Sequence, residues 1–281
     1  MALDTVGAES IGYQSMKAKW AKIDVLCGGT PAMRSATTTW LPMEEKESPK
    51  SYENRLNRSF LYPAFTDTLD RVTAKPFIKP VSYELGLDEN TKEIELRDLL
   101  QAILDDCDGE QRDVTQFAKE MFWSALKYGK VHVLVDYPVV PEGATKKDEL
   151  DGKYRPLLIQ VDSPQLIGWR EEQSPSGKEL SEVRIKETHV EPEGSYGEKS
   201  VDYVRVYRKD TWELWKLVDK NKDTWSMVDS GTHSFGRVPL LTIYFKRTGF
   251  MLADPCFDDL AWKNIEHWQV GSDQSNLISY A

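Results

Sequence analysis

The chain is poor in cysteine and histidine and has no long apolar run. Its three cysteines, Cys27, Cys107 and Cys256, are too few and too scattered for a disulfide framework or a zinc site, and an odd number leaves at least one thiol free. A reducing compartment is expected. No stretch is long enough to span a bilayer, and the first ten residues have neither a basic start nor an apolar block, so neither membrane insertion nor export is expected. The four histidines, His132, His189, His233 and His267, fall in different predicted elements without metal-ligand spacing. Also missing are a Gly-rich phosphate loop ending in Lys-Ser/Thr, a His-Glu-x-x-His pair and a Gly-x-Ser-x-Gly turn. No catalytic residue, metal site or cofactor is predicted. Two alternatives stay open: a metal-dependent nuclease or other enzyme built from scattered carboxylates that share no motif, and a β-rich cytoplasmic binding module using Trp212, Trp215 and Trp225. Tryptophans so placed are more often core.

What the chain does have is acidity, unevenly placed. Net charge is −10; from Glu84 to Glu120 twelve acids stand against four bases, whereas residues 1 to 80 carry eleven bases against nine acids. Such a balance argues against a protein that grips nucleic acid, because phosphate neutralisation takes clustered Lys and Arg. It does not argue against a surface along which DNA must slide without sticking. The cluster Asp105-Asp106-Cys107-Asp108-Gly109 is not a calcium loop, since Leu104 stands where the first ligand belongs. Asp219, Asn221 and Asp223 fail too, with Thr224 in place of the required Gly and Ser230 in place of the closing Glu, so a hairpin turn is expected there.

Along the chain, the spacing predicts a helix over residues 13–26 carrying Tyr13, Met16, Trp20 and Ile23, ended by Gly28-Gly29 and followed by a loop from Thr30 to Pro42. A second helix opens at Ser48-Pro49 with Tyr52, Leu56 and Phe60 inward. Pro63 ends or kinks it, and a further piece with Phe65, Leu69 and Val72 leads to an extended Phe77-Ile78-Lys79-Pro80. Another helix is expected over residues 93–104, then one capped by Asp113 and closed by Gly129, and directly after it the buried strand Val131 to Pro138. His132 in that strand reads as a core or interface histidine. Residues 141–154 read as a flexible loop. Seven short strands between Leu157 and Tyr244, separated by turns, predict an antiparallel meander, making the fold class α+β.

The last stretch, Asp254 to Ala281, reads as one long helix. Asp254 is the expected cap, Pro255 the first helical residue, and Asp258 and Asp259 complement the dipole. Phe257, Leu260, Ala261, Ile265 and Trp268 share one face. Gly271, Ser272, Asp273, Ser275 and Asn276 are weak helix formers with no apolar stripe, so the second half is expected to need neighbours or a wet channel. Apolar residues resume at Leu277, and the natural protein is expected to continue.

The run Pro255, Leu260-Ala261, Asn264-Ile265, His267-Trp268, Ser272-Asp273, Asn276-Leu277 resembles the end of the N-terminal half of tailed-bacteriophage portal proteins of a portal-like phage family. Three other sites extend the resemblance: Asp24, Gly28 and Trp40-Leu41-Pro42 with Tyr52-x-x-Arg55; Tyr128-Gly129 before Val-Leu-Val-Asp-Tyr-Pro; and Pro164, Ile167-x-Trp169 with Val238-Pro239-Leu240. The resemblance implies a structural, non-enzymatic subunit of a homo-oligomeric ring, about twelve copies around one axis, that forms the DNA channel at the capsid vertex for packaging, ejection and head–tail joining. It implies an α+β wing over residues 1–250 (helix-rich 1–130, β-rich 131–245) and a first stem helix over 254–281, with clip, tunnel helix and crown absent from this chain. The implied oligomer and channel residues are Phe257, Leu260, Asn264, Ile265, Trp268, Ser272, Asp273 and Asn276. Implied partners are the major capsid protein, the terminase motor, neck or tail adaptors and double-stranded DNA passing without sequence-specific binding. The implied location is the virion, after assembly in the host cytoplasm. On this reading, replacing Trp268 loosens assembly more than it harms the body.

Overall fold

A computed structural model describes residues 5–84, 86, 91–138, 154–175 and 177–280, and of residues 91–95, 279 and 280 the backbone only. The fold is α+β, with a helical N-terminal region, a central antiparallel sheet not closed into a barrel, and a long C-terminal helix. The helices are α1 (Ile11–Cys27), α2 (Gly29–Ser35), α3 (Pro49–Arg58), α4 (Ala64–Ala74), α5 (Thr91–Asp105), α6 (Val114–Tyr128) and α7 (Asp258–Tyr280). None of the described helices is long and apolar enough to cross a membrane.

Local chemistry sets the expected ends. Ser10, Ser48 and Asp113 each accept a backbone N–H from the first turn of α1, α3 and α6, and Gly129 closes α6 in the left-handed region at φ +86°. The segment from Thr30 to Pro42, expected as loop, instead holds α2 and a short 3-10 turn, Thr37–Thr39. Pro31 is tolerated there because a first-turn N–H has no partner in the helix anyway. For the same reason Pro76 starts a 3-10 turn, Pro76–Ile78, where extended chain was expected. Helix α3 stops at Arg58, with Ser59 extended, so Phe60 misses the inner face and is 73% exposed. The loop expected over residues 141–154 lies, up to residue 153, outside the described residues.

The predicted strands all form, but in two sheets rather than one meander. Strands β3 (Leu166–Ser174), β4 (Gly177–Glu193), β5 (Gly197–Arg208), β6 (Thr211–Asp219) and β7 (Thr224–Thr232) pair in sequence order. The first and last strands of the predicted series, β2 (Leu157–Asp162) and β8 (Leu240–Tyr244), instead flank β1 (Lys130–Asp136) in a three-stranded antiparallel sheet. A small hairpin of β9 (Arg247–Gly249) and β10 (Leu252–Ala253) follows. Period-two alternation explains the layering. Val183, Ile185 and Tyr207 of the larger sheet pack with Leu134, Val161 and Leu240 of the smaller one, while Val204 and Val206 turn toward Tyr13, Met16 and Trp20 of α1. Trp212, Trp215 and Trp225 are half-buried against these two cores. Within the acidic run Arg155 meets Asp106 at 2.6 Å, and Arg112 meets Glu120 at 2.5 Å and also pairs with Asp108. Among the described residues no group of three His, Cys, Asp or Glu could hold a metal ion.

One buried pair makes the fold pH-sensitive. Lys130 is fully buried with no acidic partner among the described residues; its Nζ donates to the Met251 carbonyl at 2.6 Å and lies 5.1 Å from the Trp169 ring. Burial pulls its pKa from 10.5 down to about 7. Two residues on, buried His132 bonds Thr242 through Nδ1 at 2.9 Å, and burial followed by the Lys130 charge holds its pKa well below 6.5. Between about pH 7 and 10.5 the unfolded chain keeps the Lys130 proton that the folded one has lost, so stability rises with pH across that window. Lys130→Met is expected to stabilise the protein at pH 7, on the order of 2 kcal/mol, and to flatten that rise. Urea denaturation of both proteins at several pH values from neutral to alkaline measures it; equal slopes would disprove the assignment.

Candidate assembly helix and the network that seats it

Helix α7 starts later than the sequence suggests. The Asp254 carboxylate turns away to Lys19, 2.5 Å from its Nζ, rather than capping, and the Phe257 carbonyl takes the first helical bond, from the Ala261 N–H at 3.0 Å. Asp258 and Asp259 occupy the first turn as expected. Asp258 holds buried Lys22 at 2.7 Å, and that ammonium also lies 4.9 Å from the Trp262 ring.

The inner face of α7 is core. Ala261, Ile265 and Trp268 are at most 3% exposed and join Ile23, Leu26, Leu56, Phe65 and Leu69 in the main cluster, with Phe257 and Leu260 half-buried beside them. Trp268, 1% exposed, sits inside this cluster, so its loss is expected to destabilise the body as well as any assembly. The polar residues also have specific seats in the same chain. Asn264, 3% exposed, accepts the Phe65 N–H at 2.9 Å through Oδ1 and donates Nδ2 to the Tyr62 carbonyl at 2.9 Å. It supplies the first-turn cap that Pro63, at the N-cap of α4, cannot. The Ser272 and Ser59 hydroxyls hydrogen-bond at 2.7 Å. Asp273, outward-facing, meets Arg55 at 3.1 Å, and Asn276 is half-buried.

Arg55 is the hub. Its buried guanidinium donates to both Glu47 oxygens at 2.9 and 2.8 Å, to the Pro42 carbonyl at 2.7 Å and to Asp273. Those hydrogen bonds hold Glu47 below the usual carboxylate range and push Arg55 up. Tyr52, under the guanidinium at 5.5 Å, donates its hydroxyl to the Leu41 carbonyl at 3.0 Å. The spaced residues Leu41-Pro42, Tyr52-x-x-Arg55 and Ser272-Asp273 thus meet in one place. Asp24 accepts from the Tyr128 hydroxyl at 2.7 Å and from Lys127 at 2.8 Å, which ties the first helix to the Tyr128-Gly129 site. The sequence reading missed the role of Arg55, which a bare Tyr-x-x-Arg could not show.

The outer side of α7 and its free end are different. Trp262 (51%), Val270 (49%), Leu277 (71%) and Ile278 (76%) are exposed, and beside the helix so are Phe60 and Tyr62 (57%). Tyr62 leans on His267 with ring centroids 5.8 Å apart. Six large apolar side chains on and around one helix exceed the scattered single exposures of an ordinary surface. No known family model matches the sequence, and no curated protein matches it.

Proposed function

We propose that the chain is a structural subunit of a portal-type ring at a phage capsid vertex, with the α+β body as wing and α7 as the first stem helix. The observation that supports this most is the construction of α7: seated on the body along one face by Ala261, Ile265, Trp268, Asn264 and Ser272, and apolar and uncovered toward its end. Of the residues quoted for the resemblance, Leu41, Pro42, Tyr52, Arg55, Asn264, Ile265, Trp268, Ser272 and Asp273 contribute to this seat or to the network beside it. A second subunit supplies the cover, and cyclic repetition of that contact closes a ring. The capsid protein, terminase motor and tail adaptors are then its neighbours, and duplex DNA passes the acidic surface without being held.

Imaging of particles and mass measurement in solution test this together. Rings with a central hole are expected, and Val270→Asp with Leu277→Lys, both on exposed positions, is expected to abolish them at an unchanged melting temperature. A chain that stays monomeric at the highest concentration reached, or rings indifferent to both substitutions, would overturn the reading.

A further inference from the structure

Where the ends of the two sheets meet there is a cleft of about 620 Å³ that the ring reading does not use. Its walls are aromatic: Tyr137, Tyr207, Trp212, His233 and Phe235, with Asp136 the only carboxylate lining it among the described residues. Tyr207 and Trp212 stand directly opposite each other on β5 and β6. The His233 ring lies 6.2 Å from Tyr207 and 5.3 Å from Phe235, at tilts of 50° and 47°.

Asp136 makes no ion pair among the described residues, although the Arg205 charge lies near enough to act on it. Its only hydrogen bond among the described residues is a long one, 3.4 Å, from the Tyr207 hydroxyl. The Arg205 guanidinium is committed to Glu187 at 2.7 and 3.2 Å, and Arg208 to Glu182 at 2.9 Å and Glu213 at 2.5 Å. His233 donates Nε2–H to the Arg208 carbonyl at 3.0 Å, and its Nδ1 has no partner among the described residues. A half-buried carboxylate among π faces, whose neighbouring cation Arg205 is bonded to Glu187 instead, selects further positive charge. Arg205 shows the affinity of these rings, its Cζ lying 5.8 Å from the Trp212 ring centre.

We propose that this cleft is a binding site for an organic cation, an alkylammonium or guanidinium group, held by the aromatic faces and paired with Asp136. The group belongs to a small metabolite or to a Lys or Arg side chain of a partner protein. The site is independent of ring formation.

Titration of the full chain, followed by the indole N–H NMR signal of Trp212 (assigned through Trp212→Phe), tests it with four probes. These are choline, its uncharged carbon isostere 3,3-dimethylbutan-1-ol, N-acetyl-lysine amide and N-acetyl-arginine amide. At least one cation is expected to shift the signal saturably and to bind about ten-fold or more tightly than the isostere. Choline as the best ligand indicates a small molecule, and either amide a protein side chain. Asp136→Asn is expected to remove most of the preference while the rest of the spectrum stays put. No shift with any cation at tens of millimolar, equal binding of choline and its isostere, or full binding by a folded Asp136→Asn protein would each overturn the proposal.

Discussion

Trp268→Ala is expected to destabilise the whole chain by about 3–5 kcal/mol, the range for emptying a large aromatic site in a core. In a protein of this size that corresponds to a fall in melting temperature of roughly 10 °C. The cause is position. Trp268 is 1% exposed in the cluster that joins α1, α3, α4 and α7, so its removal leaves a cavity bounded by four elements rather than a notch at a subunit surface. One detail moderates the effect: Nε1 of Trp268 is buried without a hydrogen-bond partner among the described residues, so part of the indole is held at a cost. Trp268→Phe is accordingly expected to keep most of the stability, and Leu277→Ala, at a 71% exposed position, to shift it by less than about 0.5 kcal/mol. Thermal and urea unfolding of the three variants provide the measurement. A Trp268→Ala protein that melts like the parent but fails to assemble would return this side chain to the interface that the family resemblance implies.

That contrast shows what the sequence could reveal. Period and caps were legible because they are local: Asp113 before an amphipathic run and Gly129 after it mark α6 to the residue, and the alternation of Val183, Ile185 with their neighbours marks β4. The partner of a face is not local. Gly271, Ser272, Asp273 and Asn276 looked unsupported because the supports of Ser272 and Asp273, which are Ser59 and Arg55, lie more than two hundred residues away in sequence. The split of the strands into two sheets was hidden for the same reason. Strand β1 pairs with β2 across residues 137–156 and with β8 across more than a hundred residues, and no periodicity encodes that choice.

Several of the spaced residues quoted for the family resemblance meet in one network in the fold. Weak when taken singly, they make defined contacts in the fold. Leu41 and Pro42 offer carbonyls to Tyr52 and Arg55, Asp273 takes the remaining arm of Arg55, and Asn264 caps α4. The cleft beside Asp136 was invisible in advance, since its residues come from β1, β5, β6 and the segment after β7 and share no spacing.

Gly129→Ala is expected to cost at least about 4 kcal/mol, combining the penalty of a left-handed L-residue with overpacking against backbone. Gly129 has φ +86°, and a Cβ there would stand 2.0 Å from the Asp254 carbonyl oxygen and 2.6 Å from its carbon. Neither atom belongs to a side chain that can rotate away. The site is a crossing: the Gly129 N–H closes α6 on Ala125 at 2.8 Å, and its carbonyl accepts from Phe245 at 2.9 Å and Lys246 at 3.1 Å. Asp254, bonded to Lys246 at 3.0 Å, leads directly into α7. A methyl group therefore pushes on the segment that leads into α7 as well as on the end of α6, so the urea midpoint is expected to fall and, on the portal proposal, ring formation with it. Gly271→Ala serves as the opposite case. Nothing lies within 4 Å of the Cβ it would add inside α7, so the substitution is expected to stabilise by up to about 1 kcal/mol through helix propensity. One glycine is required by what touches it and the other is not; a Gly129→Ala protein as stable as the parent would show that the chain crossing at Asp254 is looser than its geometry requires.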